Sequence, residues 1–356
     1  MIARAAGAPV WACRRVGMMW GAALTNAIEM RGVRKTFGPK VAVEGLDLTV
    51  PEGSLTGLIG PNGAGKTTTI RMVMAIHFPD RGEMSILGRK SAVESKDRIG
   101  YLPEERGVYK KMKVGPFLMH MGRLKGLDSG PALKQRVADW LERVGLGDCW
   151  KKKSEELSKG MQQKVQFISA VLHEPDLLIL DEPFSGLDPV NQRLLRDLVL
   201  EQHRAGRTVI FSTHVMFHAE QLCDRVIMIH NGRKVLDGTM GEIRAAHDRG
   251  EVVFEPSEGG ADAGVRTVET LAGVESVRMV DGVPRAIVSN GMDRRAVMRS
   301  ILDAVDCERV SVHRPTLEDV FIDIVEGSVT SEDERQRLRA SLRGESGADE
   351  EAEVVS

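Results

Sequence analysis

The sequence predicts a mixed α/β domain followed by a smaller α+β domain, and three observations carry that prediction. A glycine-rich loop, Gly60-Pro61-Asn62-Gly63-Ala64-Gly65-Lys66-Thr67, stands between an apolar run and a helical one. The runs at 177–180 and 208–212 are largely apolar, the pattern of parallel strands covered on both faces. After about residue 250 the pattern changes to short strands, a helix, another strand and a final amphipathic helix. The length of 356 residues suits two or three domains. A composition of 42% hydrophobic and 28% charged residues can bury a full core.

The elements follow in order. Residues 41–50 read as a strand, with Leu46, Leu48 and Val50 alternating against Asp47 and Thr49. A short strand at 54–60 leads into the glycine loop, and a helix is expected from Lys66 to about Ile76. Further helices are expected at 129–144, with Ser129 as N-cap, at 160–173 and at 190–205. Asn231-Gly232 inside 226–236 is a hairpin signal. In the second unit, strands are expected at 252–254, 274–280, 286–289 and 308–313, with Asp281-Gly282 as a turn and a helix at 292–305. Thr316 and Asp319 have capping-box spacing, and Leu317, Val320, Phe321, Ile324 and Val325 form one apolar helix face. The expected division is a flexible extension at 1–26, a large domain at 27–249, an accessory α+β domain at 250–327 and a disordered acidic tail at 328–356.

Composition excludes several classes. With 49 basic against 51 acidic residues and 4% aromatics, neither bulk charge nor base stacking points to nucleic acid. No stretch approaches 18 consecutive apolar residues, so no membrane span is expected. Cys13, Cys149, Cys223 and Cys307 lie at least 74 residues apart, which argues against a zinc site or disulfide scaffold and fits a reducing cytoplasm. The basic start (Arg4, Arg14, Arg15) mimics a signal peptide, but Gly7, Pro9 and Gly17 break its apolar part. The extension therefore reads as a flexible leader, or as sequence upstream of a true start at Met18, Met19 or Met30.

The glycine loop fits G-x-x-x-x-G-K-[ST]. Its backbone N–H groups can wrap phosphate oxygens, helped by the positive end of the following helix. Lys66 is expected to reach the β- and γ-phosphates, Thr67 to hold Mg²⁺, and the binding segment to run from Gly60 through Thr68. The strand at 177–180 ends in Asp181 and Glu182, suited to the Mg²⁺ shell and to polarising a water. Ser158 is a helix cap whose free N–H groups can bind phosphate. His214 and His218, four residues apart, suggest metal ligands, but no third ligand accompanies them.

At these residues the chain resembles the ATP-binding-cassette (ABC) ATPases, over about residues 27–245. Leu157-Ser158-Lys159-Gly160-Met161 stands where the family has its signature motif, Ser158 lying 23 residues before Asp181. The family form has Gly where Lys159 stands and Gln where Met161 stands; the serine and the glycine Gly160 are kept. The resemblance implies an α/β P-loop NTPase fold with a helical subdomain, binding ATP and Mg²⁺. It implies that Phe37 stacks on adenine, Asp188 crosses a dimer interface, and His214 contacts the γ-phosphate. It also makes Glu182 the general base and Ser158 and Gly160 the contacts to ATP held by a second subunit. Glu104 stands where the family usually has glutamine, linking Mg²⁺ and the attacking water to a membrane subunit. Glu104 is expected to stay ionised because Mg²⁺ screens its repulsion from phosphate.

The segments YLPEERGVYKKMKV, LSKGMQQK and PTLEDVF resemble one branch, bacterial exporter ATPases of sodium-extrusion and drug-resistance type with an extra C-terminal domain. The expected function is an ATP-hydrolysing subunit, a translocase-type enzyme working as a homodimer or heterodimer. It would sit peripherally on the cytoplasmic face of the plasma membrane, drive a separate permease and bind no nucleic acid. Soluble cassette ATPases of ribosomes or DNA are the second class. Tandem cassettes or a long coiled coil would mark them, and this sequence has one cassette and no such heptad run.

Overall fold

The computed structural model describes residues 25–105, 111–257, 261–280 and 282–326. The expected acidic tail, all but the last two residues of the expected extension, and Asp281 of the expected turn lie outside the described residues.

The chain begins with β1 (Asn26–Phe37) and β2 (Lys40–Pro51), which pair antiparallel. β3 (Leu55–Ile59) and α1 (Lys66–Val73) follow, then β4 (Arg81–Ile86), which joins the other edge of β1. α1 ends three residues before the expected Ile76. Ala75 takes a left-handed φ of 54°, and the amides of Ile76 and His77 turn back to the Arg71 carbonyl at 2.9 and 3.1 Å, closing the helix.

β5 (Ile99–Leu102) leads to three helices, α2 (Val114–Leu124), α3 (Pro131–Arg143) and α4 (Lys159–Val171). They share an apolar core that includes Leu118, Leu133, Val137, Leu141 and Phe167. Ser129 does not cap α3: Gly130 holds the cap position and Pro131 the first turn, where its missing N–H costs nothing. Ser158 does cap α4, its hydroxyl accepting from the Met161 amide at 3.3 Å.

β6 (Leu177–Asp181), α5 (Pro189–Arg204), β7 (Thr208–Thr213), α6 (Met216–Leu222), β8 (Arg225–His230), β9 (Arg233–Thr239) and α7 (Met240–Ala246) complete this part. A six-stranded sheet runs β5-β6-β7-β3-β8-β9, parallel except for β9. Every residue of β3, β6 and β7 is buried, as strands covered on both faces must be. Their register aligns Ile59 with Thr213 and Asp181 with Ser212, so the carboxyl ends of three adjacent strands open at one edge. Open α/β sheets bind ligands at such an edge.

The last part is β10 (Glu251–Pro256), α8 (Ala261–Glu269), β11 (Val274–Val280), β12 (Val283–Val288), α9 (Arg294–Ala304), β13 (Cys307–Val312) and α10 (Leu317–Glu326). Its antiparallel sheet runs β11-β12-β10-β13, so the βαββαβ order gives a ferredoxin-like unit. Val252, Phe254, Ala286 and Val288 meet Val268 of α8 and Val297 and Ile301 of α9 in a separate apolar core. α10 departs from this unit. Its Leu317, Val320, Phe321 and Val325 join the core of the six-stranded sheet, beside Met216, Ala219 and Leu222 of α6. Ile322, outside the expected apolar stripe, is also buried, so α10 is covered on more than one face.

Candidate functional site

The phosphate loop fills the turn between β3 and α1, and two of its glycines, Gly60 and Gly65, are required by contact. A Cβ on Gly60 would lie 2.1 Å from the Ile229 carbonyl oxygen, and one on Gly65 would lie 2.6 Å from that of Ala42. Lys66 is 5% exposed, and its ammonium donates to the Gly60 and Pro61 carbonyls at 2.8 and 3.1 Å. Burial holds its pKa below the usual lysine range, against the opposing charges of Glu182, Asp181 and Glu104.

The β6 carboxylates meet this loop. Glu182 Oε1 lies 3.7 Å from Lys66 Nζ and 2.9 Å from His214 Nδ1. Glu182 itself has φ 47°, a left-handed conformation that a non-glycine residue adopts at a cost. Asp181 is 1% exposed. Its Oδ1 accepts from the Ser212 hydroxyl at 2.5 Å and lies 3.4 Å from Thr67 Oγ1, while Oδ2 is buried without a hydrogen-bond partner among the described residues. Burial raises the Asp181 carboxyl above its ordinary range, and Glu182 adds to this. A buried carboxylate oxygen with a free lone-pair site beside a threonine hydroxyl is the donor set a hard divalent cation takes. Glu104 is raised too, by burial and then by Asp181 and Glu182. Without a cation, therefore, the site opposes the expected ionised state of Glu104.

In the sequence Ser212 reads only as part of a strand. Its hydroxyl donates to Asp181 and accepts from the Glu182 amide at 3.1 Å, setting both carboxylates at once. The small polar residue two positions before His214 is the one signal that marks it.

Phe37, 43% exposed, ends β1. The His77 ring meets it edge-on at 5.2 Å, and Lys35 Nζ lies 5.5 Å from its centroid. Asp80 holds this strand end, accepting from the Thr36 amide and hydroxyl at 2.7 Å each and from Lys35 at 2.9 Å. His77 and Asp80 carried no motif signal.

Ser158, Gly160 and Asp188 form a second group. Asp188 caps α5 through the Asn191 amide at 2.9 Å, and a Cβ on Gly160 would lie 2.9 Å from Asn191 Nδ2. Gly160 and Asp188 are linked through Asn191, whose side-chain amide lies against Gly160 and donates to Asp188, while Ser158 contacts Met161 of its own helix. His218 packs edge-on against Phe184 at 5.0 Å.

The ABC transporter family pattern matches residues 43–185, and that of the ATP-binding protein DrrA1-3-like C-terminal domain matches residues 238–325. The ABC transporter ATP-binding protein YhaQ of Bacillus subtilis (strain 168) is 42% identical over 82% of this chain and 96% of its own. The linearmycin resistance ATP-binding protein LnrL of the same organism is 30% identical over 83% and 97%. The daunorubicin/doxorubicin resistance ATP-binding protein DrrA of Streptomyces peucetius is 33% identical over 84% and 92%. A solved ATP-binding subunit of an ABC transporter superposes with a TM-score of 0.57 at 32% identity, covering 62% of this chain and 92% of that one. The chain belongs to the ABC transporter ATP-binding proteins. It is an ATP-hydrolysing, nucleotide-binding subunit, and among its described residues no helix is long and apolar enough to cross a membrane.

Proposed function

We propose that this ABC ATP-binding subunit powers export through a separate membrane permease, working on the cytoplasmic face as one half of an ATPase pair. The observation that carries the reading is the cluster Lys66–Glu182–His214 at the mouth of the phosphate loop. Gly60 to Thr68 and Lys66 bind the phosphates of ATP, and Phe37 stacks on the base. Thr67, Asp181 and Glu104 would hold Mg²⁺, which would offset phosphate charge. Glu182 accepts a proton from the attacking water, and His214 orients Glu182 while facing the γ-phosphate.

In this reading Ser158, Gly160 and Asp188, at the starts of α4 and α5, serve ATP bound to the partner copy in a two-chain site. The drug-resistance names of relatives such as LnrL and DrrA support export. The chain divides into an ATPase unit to about residue 249 and an accessory unit from about 250 whose sheet has an apolar core of its own, while α10 packs back into the ATPase core. Glu182→Gln is expected to bind ATP, lose turnover and accumulate as a nucleotide-bound dimer. Size exclusion with ATP tests this, and a monomer under those conditions would count against the two-site arrangement.

A further inference from the structure

We infer that α10 is a strap that fixes α6, and through α6 the placement of His214 against Glu182, with Glu220 as the positioning residue. This rests on the reading of Glu182 and His214 as the hydrolytic pair. Only His214 and Val215 separate β7 from α6, so His214 is held between a buried central strand and the first turn of that helix.

α6 cannot hold itself. It has seven residues, under two turns, and no side-chain cap at Val215. Its order must come from what packs on it. Its buried residues Met216, Ala219 and Leu222 share one apolar core with Leu317, Val320, Phe321 and Val325 of α10. The contact is also polar. The Glu220 carboxylate, 13% exposed, accepts from the backbone N–H of Leu317, one of the amides that a helix start leaves without an internal partner. Arg244 of α7 lies 3.7 Å from the other Glu220 oxygen. Phe321 meets the His230 ring edge-on at 5.4 Å, tying α10 to the end of β8 as well.

The outer side of α10 faces the accessory sheet through charge. Asp319 pairs with His313 at 3.4 Å and with Arg285 at 3.9 Å, and Asp323 pairs with Arg249 at 2.7 Å. α10 therefore joins the catalytic unit by apolar contacts and the Glu220–Leu317 hydrogen bond, and the accessory sheet through the ion pair of Asp319 with Arg285. A displacement of the accessory sheet reaches His214 through one helix.

The test uses the full chain. Glu220→Ala removes the acceptor for Leu317 and is expected to lower kcat about five- to tenfold with the KM for ATP within about twofold, the pattern of a lost transition-state arrangement. Glu220→Gln keeps an acceptor and should recover at least half of wild-type kcat. Phe321→Ala, which loosens the apolar half, should reproduce the kcat-only loss. Thermal midpoints and binding of a trinitrophenyl-ATP probe, taken on the same samples, confirm folded protein and an intact nucleotide site. Wild-type kcat in Glu220→Ala would overturn the strap, as would a joint loss of kcat and ATP affinity that Glu220→Gln does not relieve. Loss of turnover in Glu182→Gln checks the underlying reading separately. Activity surviving there would overturn that reading, whatever the Glu220 variants do.

Discussion

Two buried carboxylates, Asp181 in the six-stranded sheet and Glu251 in the accessory sheet, are 1% and 4% exposed and are treated in opposite ways. Glu251 gives one oxygen to Arg278 and the other to Arg285 at 3.4 Å. Asp181 has one oxygen on Ser212 and one with no partner, and no basic group within 4 Å among the described residues. A buried charge is tolerated when paired and is costly when not. The accessory sheet closes its charges internally and gains a defined docking geometry for α10. The edge that carries Asp181 keeps a buried carboxylate short of partners at a cost in stability, and the proposed function gives that oxygen to a cation. The same residue class thus serves architecture in one place and binding in the other.

The largest effect that sharpens this contrast is on turnover. Glu182→Gln removes the proposed proton acceptor and should reduce ATPase rate by about 10²–10⁴-fold. Its thermal midpoint should stay close to wild type, which a melting curve checks. Next is Glu251→Ala, which strands Arg278 and Arg285. It should cost about 2–3 kcal/mol in denaturant unfolding, less than the 3–5 of a fully buried pair because Arg278 reaches solvent. A neutral outcome would break the claim that this network is structural.

Smaller effects carry opposite pH signs. Burial alone would raise Asp319, but hydrogen bonds from His313 and Thr316 and the Arg285 charge outweigh it and hold the carboxyl well below its usual range. Its stabilisation is present above the ordinary carboxylate pKa and is lost as pH falls through the depressed folded value. Asp319→Asn should therefore cost about 1–2 kcal/mol near neutrality, with the gap to wild type closing below about pH 4. Asp181 and Glu104 are raised, so their penalty grows as pH rises from the ordinary carboxylate range through the folded values. In the nucleotide-free chain, Asp181→Asn should gain stability relative to wild type as pH rises through that window. Melting curves across pH show whether the two variants diverge in opposite directions, and parallel curves would break the comparison.

Much of this was legible in the sequence because it is local. The phosphate loop, the strand ending in Asp181 and Glu182, the Ser158 cap and the Thr316–Asp319 box each depend on contiguous residues, and a contiguous segment carries its own geometry. The Ser129 cap misled because Pro131, two residues on, took the first turn and moved the start. β4 and α6 give no strong periodic signal, since each is ordered mainly by neighbours distant in sequence. At the site, Ser212, His77 and Asp80 escaped notice for the same reason: a lone serine, histidine or aspartate means nothing until its partner is known.

The sequence by itself determined the chemistry on offer: a loop for phosphate, an oxygen set for a cation, a carboxylate and a histidine for water. Only the tertiary structure decided how these meet and what steadies them. Lys66 reaches Glu182 because β3 and β6 both pair with β7, and Glu220 reaches Leu317 across 97 residues of chain. The helical period of α10 marks one apolar stripe but cannot say whose core the stripe enters, because apolar contact carries no address. The fold supplies that address, and it gives α10 to the catalytic unit.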